Sequence, residues 1–117
     1  MVKTMNCRSK YGNRKITYNG ETYDSIKEYR RHDELKLLQR AGKISSLERQ
    51  VKFELIPSQK IGGKVVERSC SYIADFVYVK DGETIVEDVK SEATKTPEYI
   101  VKRKLMLFIK GIRIQEV

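Results

Sequence analysis

An aspartate in the middle of an otherwise apolar strand constrains this chain more than any other feature. The extended run from Val65 to Val79 places Cys70, Tyr72, Ala74, Phe76 and Tyr78 on one face and Ile73, Asp75, Val77 and Val79 on the other. Both faces are largely apolar, so the run is expected to be a central strand, where an unpaired carboxylate would cost several kcal/mol. Asp81-Gly82 is a tight-turn dipeptide, and Thr84 to Lys90, TIVEDVK, follows as an antiparallel partner. On that partner Asp88 and Lys90 share a face beside Asp75, while Glu87 points the other way.

The rest of the chain supplies elements to cover such a sheet. Lys15 to Asp24 carries β-favouring residues on both sides of Asn19-Gly20, a hairpin signal. A helix should begin at the SIKE box, with Ser25 as cap and Asp24 as competitor, and run to about Ala41 before Gly42. Its expected apolar stripe is Leu35, Leu38 and Ala41 with Ile26 or Leu37, beside a more polar strip of Glu28, Arg31, His32 and Gln39. Ser46 to Pro57 alternates as a strand, and Ser58 to Lys64 with Gly62-Gly63 reads as a hairpin loop. After the loop SEATKT, Pro97 opens a second helix to Lys110, with Tyr99, Leu105, Met106, Phe108 and Ile109 as its core face, and IRIQEV forms a last strand. The order predicts an α+β domain, a mainly antiparallel sheet flanked by helices, over residues 15–117. Residues 1–14 carry Lys3, Arg8, Lys10 and Arg14 without apolar periodicity and read as a flexible basic arm.

Composition narrows the partners. The 117 residues hold 24 Lys and Arg against 16 Asp and Glu, a net charge of +8. Nucleic acid is the leading partner for that surplus, with anionic lipid behind it and plain solvated lysines as the bland alternative. No apolar run is long enough to span a bilayer and no signal segment opens the chain, so a cytoplasmic protein without membrane partners is expected. Cys7 and Cys70 are far apart in sequence, which fits reduced thiols rather than a disulfide framework or zinc site.

Asp75, Asp88 and Lys90 are where chemistry is expected. Two neighbouring carboxylates repel, and a hard divalent cation relieves them while taking only one or two protein carboxylates plus water. Asp88 with Lys90 also fits an ordinary surface ion pair, and Glu28 fits a capping-box glutamate. His32, one turn after Glu28, is read as a packing or surface residue.

Asp75, then Glu87-Asp88-Val89-Lys90, with Glu28 on the preceding helix, resembles the PD-(D/E)xK nuclease superfamily. The segments YDSIKEYRRHDELKLL, ISSLERQVKFEL and YIADFVYVKDGETIVEDVKS are similar to small phage-encoded Holliday junction resolvases, a likeness spanning roughly residues 11 to 111. The Pro-Asp pair that names the superfamily is here Ala74-Asp75. The resemblance implies a restriction-endonuclease-like core and a magnesium-dependent (or manganese-dependent) endonuclease hydrolysing phosphodiesters in branched DNA. Asp75 and Asp88 would be metal ligands with the Val89 carbonyl. Glu28 would hold a water or second ion, and Lys90 would act at the attacked phosphate. A junction-cutting enzyme is expected to be a two-fold dimer, and the host compartment would be the bacterial cytoplasm for a phage or prophage protein. Arg14, Lys15, Ser91, Thr94, Lys95, Lys102 and Arg103 are the expected DNA contacts, joined by Lys104 and Lys110 on the last helix. Lysines of a solvated face explain that set about as well. The rival in another class is a basic DNA-binding protein that keeps the nuclease fold without hydrolysis.

Overall fold

The computed structural model describes residues 15–117; the expected arm of residues 1–14, with Arg14 and Cys7, lies outside them. The chain begins with a hairpin, β1 (Ile16–Tyr18) and β2 (Glu21–Tyr23). Asn19 and Gly20 both take positive φ, 54° and 81°, as the tight hairpin turn demands. Ser25 caps helix α1 (Ile26–Arg40), its hydroxyl accepting the Glu28 amide at 3.1 Å. The Glu28 carboxylate reaches back to the Asp24 amide at 2.9 Å rather than to that of Ser25, which ties the hairpin exit to the helix start.

Then follow β3 (Ser45–Ile56), β4 (Gln59–Ile61), β5 (Lys64–Glu67), β6 (Cys70–Lys80) and β7 (Glu83–Asp88). A short 3-10 turn at Glu92–Thr94 leads to α2 (Pro97–Leu105), a π turn over Met106–Lys110, and β8 (Gln115–Glu116). The main sheet has the order β3-β6-β7-β8, antiparallel except for the parallel β7–β8 pair. The protein is thus of the α+β class, and β6 has a neighbour on each side, as its sequence requires. Among the described residues no helix is long and apolar enough to cross a membrane.

Adjacent residues of β7 face opposite sides of the sheet. Glu87 bonds Arg31 of α1, whereas Val86 is buried with Tyr99 of α2 and with Met106. The two helices therefore cover opposite faces at this strand, giving three layers.

Four expectations are corrected. The run from Val65 to Val79 is not one strand: it breaks at Arg68-Ser69, and its first part pairs in a separate ribbon, β4–β5, turned at Gly62-Gly63. Tyr72, Ala74, Phe76 and Tyr78 do not line one core. Tyr72 and Ala74 join Leu55, Tyr99, Met106 and Ile114, while Phe76 and Tyr78 join Leu35 and Ile44. The division falls at Asp75, opposite Gln50, whose φ of 53° interrupts the regular pleat of β3. On α1 the buried face is Glu28, His32 and Leu35, and Leu37, Leu38 and Ile26 are exposed. Burial of that polar face is possible because each group is answered: the His32 Nδ1 lies 2.7 Å from the Tyr23 hydroxyl, and the ring stacks on Phe76 at 5.6 Å. Finally, Phe108 is 86% exposed and Ile109 is exposed too. The π turn adds a residue to the helical turn and carries both away from the sheet.

Candidate active site

The cleft lies where the central ladder stops. β6 and β7 pair from Lys80↔Glu83 to Phe76↔Glu87, and beyond that point each strand's backbone is held by the other's carboxylate. The Asp75 amide donates to Asp88 Oδ1 at 3.3 Å, and the Val89 amide donates to Asp75 Oδ2 at 2.9 Å. An ordinary ladder would leave no carboxylates here; this one ends in two that face the same gap. Beyond Asp88 the chain is fixed by β8, with the Val117 amide on the Asp88 carbonyl and the Lys90 amide on the Val117 carbonyl, both at 3.0 Å.

Lys90 Nζ stands 3.2 Å from Asp88 Oδ2 and 4.1 Å from the centre of the Tyr99 ring. The ring and the carboxylate fix the ammonium from two sides. The side chains of Asp88 and Lys90 are only 5% and 17% exposed, so theirs is a largely buried pair and not the surface ion pair that spacing alone allowed.

Glu28 enters from α1. It is 2% exposed, and its Oε2 accepts Arg49 Nη2 and Gln50 Nε2, each at 3.3 Å. The same Gln50 nitrogen lies 3.4 Å from Asp75 Oδ1. Gln50 therefore bridges the two acids, and its left-handed backbone turns it into the gap. Sequence reading passed over Gln50; the only signal was a polar Arg-Gln pair in the middle of an alternating strand.

The charges press on one another. Burial, and next the negative charge of Asp88, push the Asp75 carboxyl up to about 7. Glu28 is raised as well, by burial and then by Asp75. Tyr72, also missed from sequence, is buried, and its hydroxyl makes no well-aligned hydrogen bond, though the Asp88 carboxylate lies near enough to attract it. Its phenol is raised by burial and then by Asp88, which keeps it a proton donor.

These groups line an open cleft of about 460 Å³, together with Val89, Thr94, Thr96 and Lys102. Of the expected DNA contacts in the described residues, Thr94 and Lys102 thus line the cleft and Lys15, Ser91, Lys95 and Arg103 do not. Lys102 holds Glu98 at 3.0 Å at the rim; Lys15 holds Asp24, itself a lining residue, at 2.8 Å. Lys95 and Arg103 both reach Glu116, at 3.3 and 2.8 Å, and with Tyr99 they hold that carboxylate down to about 2. Ser91 is exposed and bonds Thr94. Glu87 does point away from the cleft, but it is a buried anchor: it takes two hydrogen bonds from Arg31, at 2.8 and 2.6 Å, and one from the Tyr78 hydroxyl.

Among the described residues no three His, Cys, Asp or Glu side chains are gathered to enclose a metal ion by themselves. The donor chemistry nevertheless fits magnesium. Asp75 and Asp88 are hard oxygen donors facing one gap, and burial and then their mutual repulsion raise the Asp75 carboxyl, a strain that a divalent cation relieves; magnesium takes few carboxylates and keeps its waters.

The family model described as a protein of unknown function, DUF1064, matches residues 8–113. No curated protein and no solved structure matches the chain.

Proposed function

The chain belongs to the DUF1064 family, and we propose that it is a metal-dependent endonuclease that hydrolyses phosphodiester bonds in DNA. The observation that carries this reading is the reciprocal hold of Asp75 and Asp88 on each other's backbone, with Lys90 fixed beside them in an open cleft. The order of helix acid, strand aspartate and Asp-x-Lys strand supports a restriction-endonuclease-like core.

Asp75 and Asp88, with the Val89 carbonyl, would hold magnesium or manganese. Bound there, the ion supplies Lewis-acid stabilisation of a phosphoryl oxygen. The protein's own groups do the rest. Lys90 is a fixed cation whose charge offsets the negative charge that grows on the phosphate, without reorganising at the moment of reaction. Tyr72 offers its hydroxyl to a phosphate oxygen, a better-aligned acceptor than the neighbouring Asp88 carboxylate. Glu28, held by Arg49 and Gln50, orients the attacking water. The water oxygen bonds to phosphorus as the bond to the leaving sugar oxygen breaks; the water gives up a proton to solvent and the leaving oxygen takes one. Lys102 at the rim suits a flanking phosphate.

Branched DNA as the substrate and a two-fold dimer as the working form belong to the same proposal and rest on the resemblance to junction resolvases. Purified protein incubated with labelled four-way junction and matched linear duplex, with magnesium, manganese or chelator, tests it. Metal-dependent cleavage that Asp88→Asn abolishes supports a nuclease, and junction-only cleavage supports the branched substrate. Binding without cleavage in either metal refutes hydrolysis and leaves a non-catalytic DNA-binding protein.

A further inference from the structure

β4 and β5 form a ribbon that the main domain does not use. Every residue from 57 to 69 is exposed, the two strands pair only with each other, and no salt bridge among the described residues involves them. An excursion of this kind from the end of a central hairpin costs backbone entropy and buries nothing in return. Its sequence is not that of a passive loop. Lys60, Lys64 and Arg68 stand against the single acid Glu67. The register Lys60↔Val65 and Ile61↔Lys64 puts a lysine beside a branched aliphatic on each face. Gly62 and Gly63, at φ 60° and 83°, make the tip narrow.

We propose that this ribbon is a DNA-binding arm that enters a groove of the duplex flanking the cleavage site, its cations on phosphates and its aliphatic residues toward base edges and sugars. The proposal rests on the nuclease reading for its ligand. Two strands fit a major groove about 12 Å wide. Cys70, where β6 begins, lies five residues before Asp75, about 16 Å at strand rise, and the tip is roughly another 23 Å further. Extended in line with β6, the arm would therefore reach at most about 39 Å from a phosphate at Asp75, a little over one turn of duplex at roughly 34 Å. The positive charge of the ribbon complements that partner and not an acid-poor copy of the same basic chain.

The test compares full-length wild type, a ribbon variant (Lys60→Ala, Lys64→Ala, Arg68→Ala) and a control with three exposed cations removed elsewhere (Arg40→Ala, Lys43→Ala, Lys80→Ala). Duplex binding is measured in chelator by fluorescence anisotropy over a range of salt, and cleavage is measured separately with magnesium. The ribbon variant is expected to lose about tenfold or more in affinity and to lower the salt slope by about 3, near 0.9 for each phosphate contact, with the control clearly weaker in effect. Equal losses in the two variants would reduce the arm to bulk charge and overturn the proposal, as would no loss in either. Dissociation of a dimer in the ribbon variant, seen by light scattering, would make the occupant a second copy and overturn it as well. Wild-type binding without cleavage would sink the nuclease reading and leave the arm standing on its own binding data.

Discussion

Glu87 and Asp88 are neighbours with the same charge, and their amides should behave in opposite ways. Glu87 is 1% exposed and takes two hydrogen bonds from Arg31 and one from Tyr78. Removing one partner of a buried ion pair costs about 3–5 kcal/mol when the other is left without compensation. Arg31 is spared part of that, since its side chain is 26% exposed and it keeps Glu34 at 2.9 Å. Glutamine also keeps one acceptor for Tyr78. The expected cost of Glu87→Gln is therefore about 2–3 kcal/mol, a fall in Tm of roughly 10–20 °C for a domain of this size. Asp88→Asn takes the carboxylate from Lys90 but also relieves Asp75, which can then ionise beside that ammonium, so its expected cost is under about 1 kcal/mol, although cleavage should be lost. Urea unfolding of both variants near neutral pH, without metal, measures the two costs, with unchanged m-values as the check on two-state behaviour. A cost below about 0.5 kcal/mol for Glu87→Gln, or equal costs for both, would refute the division into anchor and reactive acid.

The Asp75 carboxyl, raised to about 7, binds a proton in the folded state that the unfolded chain releases near 4. Metal-free stability should therefore fall as pH rises from about 4 to about 7, and urea midpoints across that window should flatten in Asp75→Asn; a profile identical to wild type would refute the shift. Because the cation competes with that proton, millimolar magnesium should raise Tm more at about pH 8 than at about pH 5 and do nothing for Asp88→Asn, as differential scanning fluorimetry would report. Tyr72→Phe deletes a buried hydroxyl whose one neighbouring acceptor, Asp88, is poorly aligned, so the stability of the free protein should change by no more than about 1 kcal/mol. Its cleavage rate should nonetheless fall about 10- to 100-fold, and an unchanged rate would remove Tyr72 from the chemistry.

The parts of this fold that were legible in the sequence are those set by local chemistry. Asn19-Gly20 and Asp81-Gly82 need positive φ and obtain it; Ser25 and Pro97 mark helix starts because orphan amides need acceptors or no donor at all. Asp75, Asp88 and Lys90 could be brought together on paper because a two-residue turn leaves little freedom of register between β6 and β7. Gln50 and Tyr72 could not, since one depends on a left-handed residue within a strand and the other on a hydroxyl that comes beside Asp88 only once the tertiary neighbours are in place.

The buried face of α1 shows why hydrophobic patterning failed where it did. Leu37 and Leu38 are more apolar than Glu28 and His32, yet they face solvent. The helix is oriented by what its polar residues can bond: Arg31 to Glu87 on one sheet strand, Glu28 to Arg49 and Gln50 on another, His32 to Tyr23. Rotating it to bury the leucines would leave Glu87 as an uncompensated charge in the sheet, a loss of several kcal/mol against roughly 1.5–3 kcal/mol for burying one leucine. The same rotation would withdraw Glu28 from the cleft. The ion pair that makes Glu87 an anchor is thus also what aims Glu28 toward Asp75, so the acid facing away from the cleft decides where the acid inside it can stand.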